Sequence, residues 1–91
     1  MQSSISILKQ SEVLEITRQS STTLWRQVKA GTFTPPIQIG TKATGYIKDE
    51  VNAVLSARSI GMPESELKAL VKRLVLQRKE RASRLLETIA A

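Results

Sequence analysis

The dipeptide Pro35-Pro36 constrains this chain more than any other feature. Proline fixes φ, lacks an N–H and biases the residue before it towards extended backbone, so no helix can run through this point. Any upstream helix must end before it, and the chain downstream must begin extended. Gly31, just ahead, suits a helix end in the left-handed conformation. Thr32-Phe33-Thr34-Pro35-Pro36 is therefore a connector, and the 91 residues divide into elements on either side of it. That length fits one domain, with too little mass for a second core. The core must be aliphatic, because Trp25, Phe33 and Tyr46 are the only aromatic residues.

Upstream, Ser11 precedes Glu12-Val13-Leu14-Glu15-Ile16, a hydroxyl cap followed by an acid in the first turn. This predicts a helix so short that packing, not propensity, must hold it. Thr17-Arg18-Gln19 forms the turn out of it. Ser20 then caps a second helix over residues 21–30, with Leu24 and Val28 pointing inward at i, i+4. Ser21, Thr22, Arg26 and Lys29 consequently point elsewhere. Downstream, Ile37-Gln38-Ile39 alternates apolar and polar residues, as Thr44-Gly45-Tyr46-Ile47 does less cleanly. Gly40-Thr41-Lys42-Ala43 between them predicts a hairpin. Asp49 and Glu50 complement the positive end of a third helix, whose apolar stripe is Val51, Val54 and Leu55 and which runs to about Arg58.

Ser59-Ile60-Gly61-Met62 breaks that helix, and Pro63 suits the first position of another. From residue 64 to residue 89 the chain is helix-forming throughout. Its stripe is Leu67, Leu70, Val71, Leu74, Val75, Ala82, Leu85, Leu86 and Ile89, interrupted by Arg78 and Arg81. The expected organisation is a flexible start over residues 1–7, a domain over residues 8–58 and an amphipathic helix over residues 63–90.

The absence of Cys and His excludes a thiolate nucleophile, a Ser-His dyad, a zinc finger and a disulfide frame. A carboxylate or Ser/Lys enzyme stays conceivable, but nothing in the chain supports one. No enzyme activity, metal, cofactor or small-molecule substrate is expected. No apolar run exceeds three residues, so no membrane span is expected, and the opening MQSSISI lacks the features of a secretory signal. The expected location is the cytoplasm, in association with the nucleoid.

Fourteen Lys and Arg against eight Asp and Glu give a net charge of +6. A basic domain attracts polyanions, and the position of the charge decides which. Between Glu15 and Asp49 there is no acid, whereas Arg18, Arg26, Lys29, Lys42 and Lys48 supply five cations. The same window holds nine Ser or Thr residues able to donate to phosphate oxygens; the rest of the chain carries nine bases against eight acids. It also contains the second short helix and the hairpin. Two short helices joined by a tight turn suit a helix-turn-helix whose second helix enters a major groove, and a hairpin after them suits a wing on the phosphates.

Leu8, Glu12-Val13, Ile16-Thr17, Ser20, Ser21-Thr22-Thr23-Leu24-Trp25-Arg26, Gly31-Thr32-Phe33 and Pro36 succeed one another at a familiar spacing, as do Ile39-Gly40, Tyr46 and Glu50-Val51. Over residues 8–58 this pattern resembles the AlpA family of phage and prophage regulators, related to excisionase and MerR-type winged helices. The chain departs from it at Arg18, where the family usually has Gly, and at Thr34, which replaces the first Pro of the connector. Lys42 stands for a wing Arg, keeping charge but losing bidentate geometry. Tyr46 stands for Trp, and Val54 for a common Trp.

The resemblance implies a mostly α fold with a small β-hairpin, a winged helix-turn-helix with a long C-terminal helix after it. It implies a transcriptional regulator binding double-stranded DNA sequence-specifically, with an excisionase-like role, bending DNA for an integrase, as the alternative. Ser21, Thr22, Arg26 and Lys29 would face the major groove, with Arg26 suited to guanine or to a phosphate. Arg18, Thr41, Lys42, Thr44 and Lys48 would form the wing and flanking contacts. Trp25 is expected at the edge of the core, with the DNA backbone as its alternative place. For the last helix, packing on the domain, a second copy, and an integrase or polymerase surface all remain open. Its mixed charges count against a membrane surface. An interaction adaptor working through that helix is the alternative of another class.

Overall fold

The computed structural model describes residues 5–90. The order of elements is β1 (Ile7–Leu8), α1 (Gln10–Thr17), α2 (Ser21–Ala30), β2 (Ile37–Gln38), β3 (Thr44–Ile47), α3 (Lys48–Ser59) and α4 (Glu64–Ala90). The three strands form one antiparallel sheet in the order β1-β3-β2. The fold is the mostly helical winged helix-turn-helix expected.

Helix α1 begins ahead of the start that Ser11 suggests. Lys9 is the residue before it, and its backbone N–H donates to the Glu12 carboxylate at 2.7 Å. Glu12 thus satisfies a donor at the helix entrance, and Ser11 lies within the first turn rather than capping it. Helix α2 is capped as its sequence predicts: the Ser20 hydroxyl accepts from the Thr23 N–H at 3.2 Å. At its other end Gly31 adopts φ 83°, and the Thr32 N–H returns to the Gln27 carbonyl at 3.0 Å. That left-handed closure is the glycine's role.

The hairpin pairs Ile37 with Gly45 and Gln38 with Thr44. Gln38 donates through its amide to the carbonyls of Gly40 (3.2 Å) and Thr41 (3.3 Å), bracing the turn. The other edge of β3 carries β1. Ile7 pairs with Ile47 and Leu8 with Tyr46, and Lys48 donates its N–H to the Ser6 carbonyl at 2.9 Å. The sheet therefore begins at Ile7, the last residue of the expected flexible start, and residues 1–4 of that start lie outside the described residues. Gly45 makes this pairing possible, since a β-carbon there would collide with the Ile7 side chain.

The core lies between α1, α2, α3 and the sheet, and α4 closes it. Val13, Leu24, Phe33, Tyr46, Val51, Val54 and Val71 are buried together, with Leu8, Leu14, Val28, Leu55 and Leu74 packed against them. Each fully buried aliphatic or aromatic side chain contributes about 1.5–3 kcal/mol. Phe33 meets Tyr46 edge-to-face, ring centroids 6.0 Å apart. Val54, at the position where a Trp is common in the resembled family, is completely buried.

One polar cluster is built into this core. Glu50 is only 5% exposed and its carboxylate receives the guanidinium of Arg78, Nε to Oε2 at 2.8 Å and Nη2 to Oε1 at 2.6 Å. Thr34 donates its hydroxyl to the same carboxylate, and Arg78 also donates to the Pro35 carbonyl at 2.7 Å. Arg78 does not break the stripe of α4 as a free charge would. It joins α4 to α3 and to the proline connector through a paired, hydrogen-bonded fork.

Candidate nucleic-acid interface

Helix α2 is held on one side and open on the other. Leu24 is buried and Val28 half-buried, which fixes the rotation of the helix about its axis. Arg58, from the end of α3, donates to the Thr32 carbonyl at 3.1 Å and anchors the loop just past the helix. With that rotation set, Thr22, Arg26 and Lys29 recur at i, i+4 and i+7 and share the exposed face. Ser21 is also exposed, and together with Thr22 and Trp25 it borders a groove whose floor includes Leu24, Val28 and Tyr46.

Trp25 is 60% exposed, so its expected place at the edge of the core is corrected. Leu24 and Val28 already fill the inward positions, and at i+1 from Leu24 the indole is carried to the flank of the open face. The Lys29 ammonium lies 5.2 Å from its ring centroid, a cation–π contact that groups the two side chains. Residue type alone places Trp25 in the core. Its spacing from Thr22 and Lys29 is the signal for the face.

The remaining candidates are distributed around this helix. Arg18 is exposed in the turn between α1 and α2, with φ 58° and ψ 39°, the left-handed conformation that glycine usually supplies. Thr41 and Lys42 lie exposed at the tip of the hairpin, and Thr44 is exposed at the start of β3. Lys48 opens α3 with its side chain in solvent. The structure thus groups Ser21, Thr22, Trp25, Arg26 and Lys29 on one helix, all exposed, and sets Arg18, the hairpin tip and Lys48 on separate neighbouring elements.

Electrostatically these cations are unopposed. Among the described residues the ion pairs are Lys68–Glu64 and Arg78–Glu50. Neither involves Arg18, Arg26, Lys29, Lys42 or Lys48, and residues 16–48 contain no carboxylate. Five unpaired cations, with exposed hydroxyls among them, can exchange mobile counterions for the fixed phosphates of a duplex. Among the described residues there is no cluster of side chains suited to a metal ion, and no helix is long and apolar enough to cross a membrane.

A family model described as prophage CP4-57 regulatory protein (AlpA) matches residues 6–56, more than half of the chain. The matched region begins beside β1 and ends within α3, so it contains the whole helix-turn-helix and the wing. Searches of curated proteins and of solved structures give no match.

Proposed function

The chain belongs to the AlpA family of prophage regulatory proteins, and from that premise we propose that it binds double-stranded DNA sequence-specifically as a transcriptional regulator. Helix α2 lies in the major groove, with Thr22, Arg26 and Lys29 towards bases and flanking phosphates. The β2–β3 turn, through Thr41 and Lys42, contacts the backbone as a wing, and Arg18, Thr44 and Lys48 extend the phosphate contacts. The work is done by binding, in the cytoplasm at the nucleoid, without catalysis.

The observation that carries this reading is the coincidence of charge and positioning. The acid-free segment is the segment that presents a capped helix with one face buried and the other face open. Arg26 is the side chain best suited to specify sequence, because its fork pairs with guanine through two hydrogen bonds.

Selection from a random duplex library tests this directly. The full chain is expected to enrich a defined motif. Arg26→Ala is expected to lose about 1–3 kcal/mol on that motif and to relax preference at one base pair. Failure to enrich any motif would overturn the proposal. An Arg26→Ala variant with unchanged affinity and preference would remove α2 from the major groove.

A further inference from the structure

We propose that the chain self-associates as a two-fold antiparallel dimer through α4, the end of each helix filling an apolar groove of the other copy. Up to Arg78, α4 packs on its own domain. Every residue from 79 to 90 is exposed, yet this stretch is fully helical. As the continuation of a formed helix this stretch needs no new nucleus, but a solvated helix end frays unless its apolar face is packed. Leu85, Leu86 and Ile89 supply that face, 61%, 62% and 71% exposed.

The same molecule carries a matching receptor. Between α2 and α4 lies an open groove of about 470 Å³ bounded by Val28, Phe33, Pro35, Val71, Val75 and Leu76. The helix end cannot fold back into this groove, because it continues the helix that forms one wall. A second copy can. An antiparallel crossing near Lys79 sets Leu86 and Ile89 of one helix beside Val71 and Val75 of the other, and the two-fold axis repeats the contact.

The apolar area supports the same occupant. Val75, Leu76, Leu85, Leu86 and Ile89, at roughly 100 Å² of removable surface each, supply about 500 Å² per copy. The groove walls and the aliphatic stems of Lys72 and Lys79 bring this close to the ~800 Å² per partner typical of a specific interface. Of the charges along the stripe, Arg78 is already neutralised by Glu50, whereas Lys79 and Arg81 are exposed and must turn their charged ends outward to solvent, leaving only their aliphatic stems in the seam. Self-complementary surfaces of this kind close into a two-fold pair.

Sedimentation equilibrium of the full chain without DNA tests the proposal independently of the DNA-binding reading. A dimer is expected, with helical circular dichroism falling on dilution as the helix ends lose their partner. Leu86→Glu combined with Ile89→Glu is expected to give a monomer whose cooperative unfolding persists, since neither side chain touches its own core. The natural chain lacks Cys, so single cysteines report direction. Lys79→Cys is expected to form a disulfide-linked dimer on oxidation, and Ala90→Cys is not. A monomeric wild type at micromolar concentration, or a double-Glu variant that stays dimeric, would overturn the proposal. Cross-linking through Ala90→Cys but not Lys79→Cys would overturn the antiparallel arrangement.

Discussion

At the scale of single residues, Arg18 shows a local conflict resolved by the surrounding fold. A side chain at φ 58° brings its β-carbon against the next carbonyl, at a cost of roughly 1–2 kcal/mol. Glycine removes that crowding but adds freedom to the unfolded chain, so Arg18→Gly is expected to stabilise by about 0.5–1 kcal/mol in a urea titration. The same substitution deletes an exposed cation, and weaker duplex binding should accompany the greater stability. Tyr46 gives a pH signature. Burial pushes its phenol above the usual 10.0, so the unfolded chain loses this proton first. Its contribution is therefore complete below about pH 10 and is lost as pH rises from there towards the folded value. Tyr46→Phe keeps the contact with Phe33 and should show a shallower alkaline loss in unfolding midpoints measured across that range.

At the scale of elements, sequence patterning and packing divide the work visibly. Ser20, Gly31 and the alternation around Gly40-Thr41-Lys42-Ala43 act on their nearest neighbours, so α2 and the β2–β3 hairpin are legible from the chain alone. Strand β1 is not, because a two-residue strand has no period to read and its partner lies some forty residues away. Arg78 reads as an interruption for a related reason. Its carboxylate partner is 28 residues distant, and only the fold brings them together. Removing one member of a buried pair leaves the other uncompensated, so Arg78→Met is expected to destabilise by about 3 kcal/mol. Converting Glu50 to Met as well should recover much of that loss, and chemical denaturation of both variants measures the coupling.

At the scale of the whole molecule, the net charge of +6 resolves into a nearly balanced remainder and one cationic stretch of sequence. The candidate interface is legible to that extent, since counting charges along the chain isolates residues 16–48. Which side chains share a face is less legible, because it depends on a helix rotation set by buried Leu24 and by the anchor from Arg58. If all five unpaired cations meet phosphates, the log of the duplex affinity should fall against log salt with a slope of up to about −4.5 per copy. Each single Lys or Arg to Ala change at a true phosphate contact should reduce that slope by roughly 0.9, as read by fluorescence anisotropy.

The Glu50–Arg78 pair also has a meaning in time. Synthesis runs from the N-terminus, so the carboxylate emerges first and its guanidinium 28 residues later. From the completion of α3 at Ser59 until Arg78 is made, the nascent domain has every element of its sheet and its first three helices, but an acid at the place where its core should close. Burying the Glu50 carboxylate is costly without its guanidinium, so closure of this face is favoured only once α4 has been made as far as Arg78. Completion of the fold is thereby tied to arrival of the segment beyond the wing.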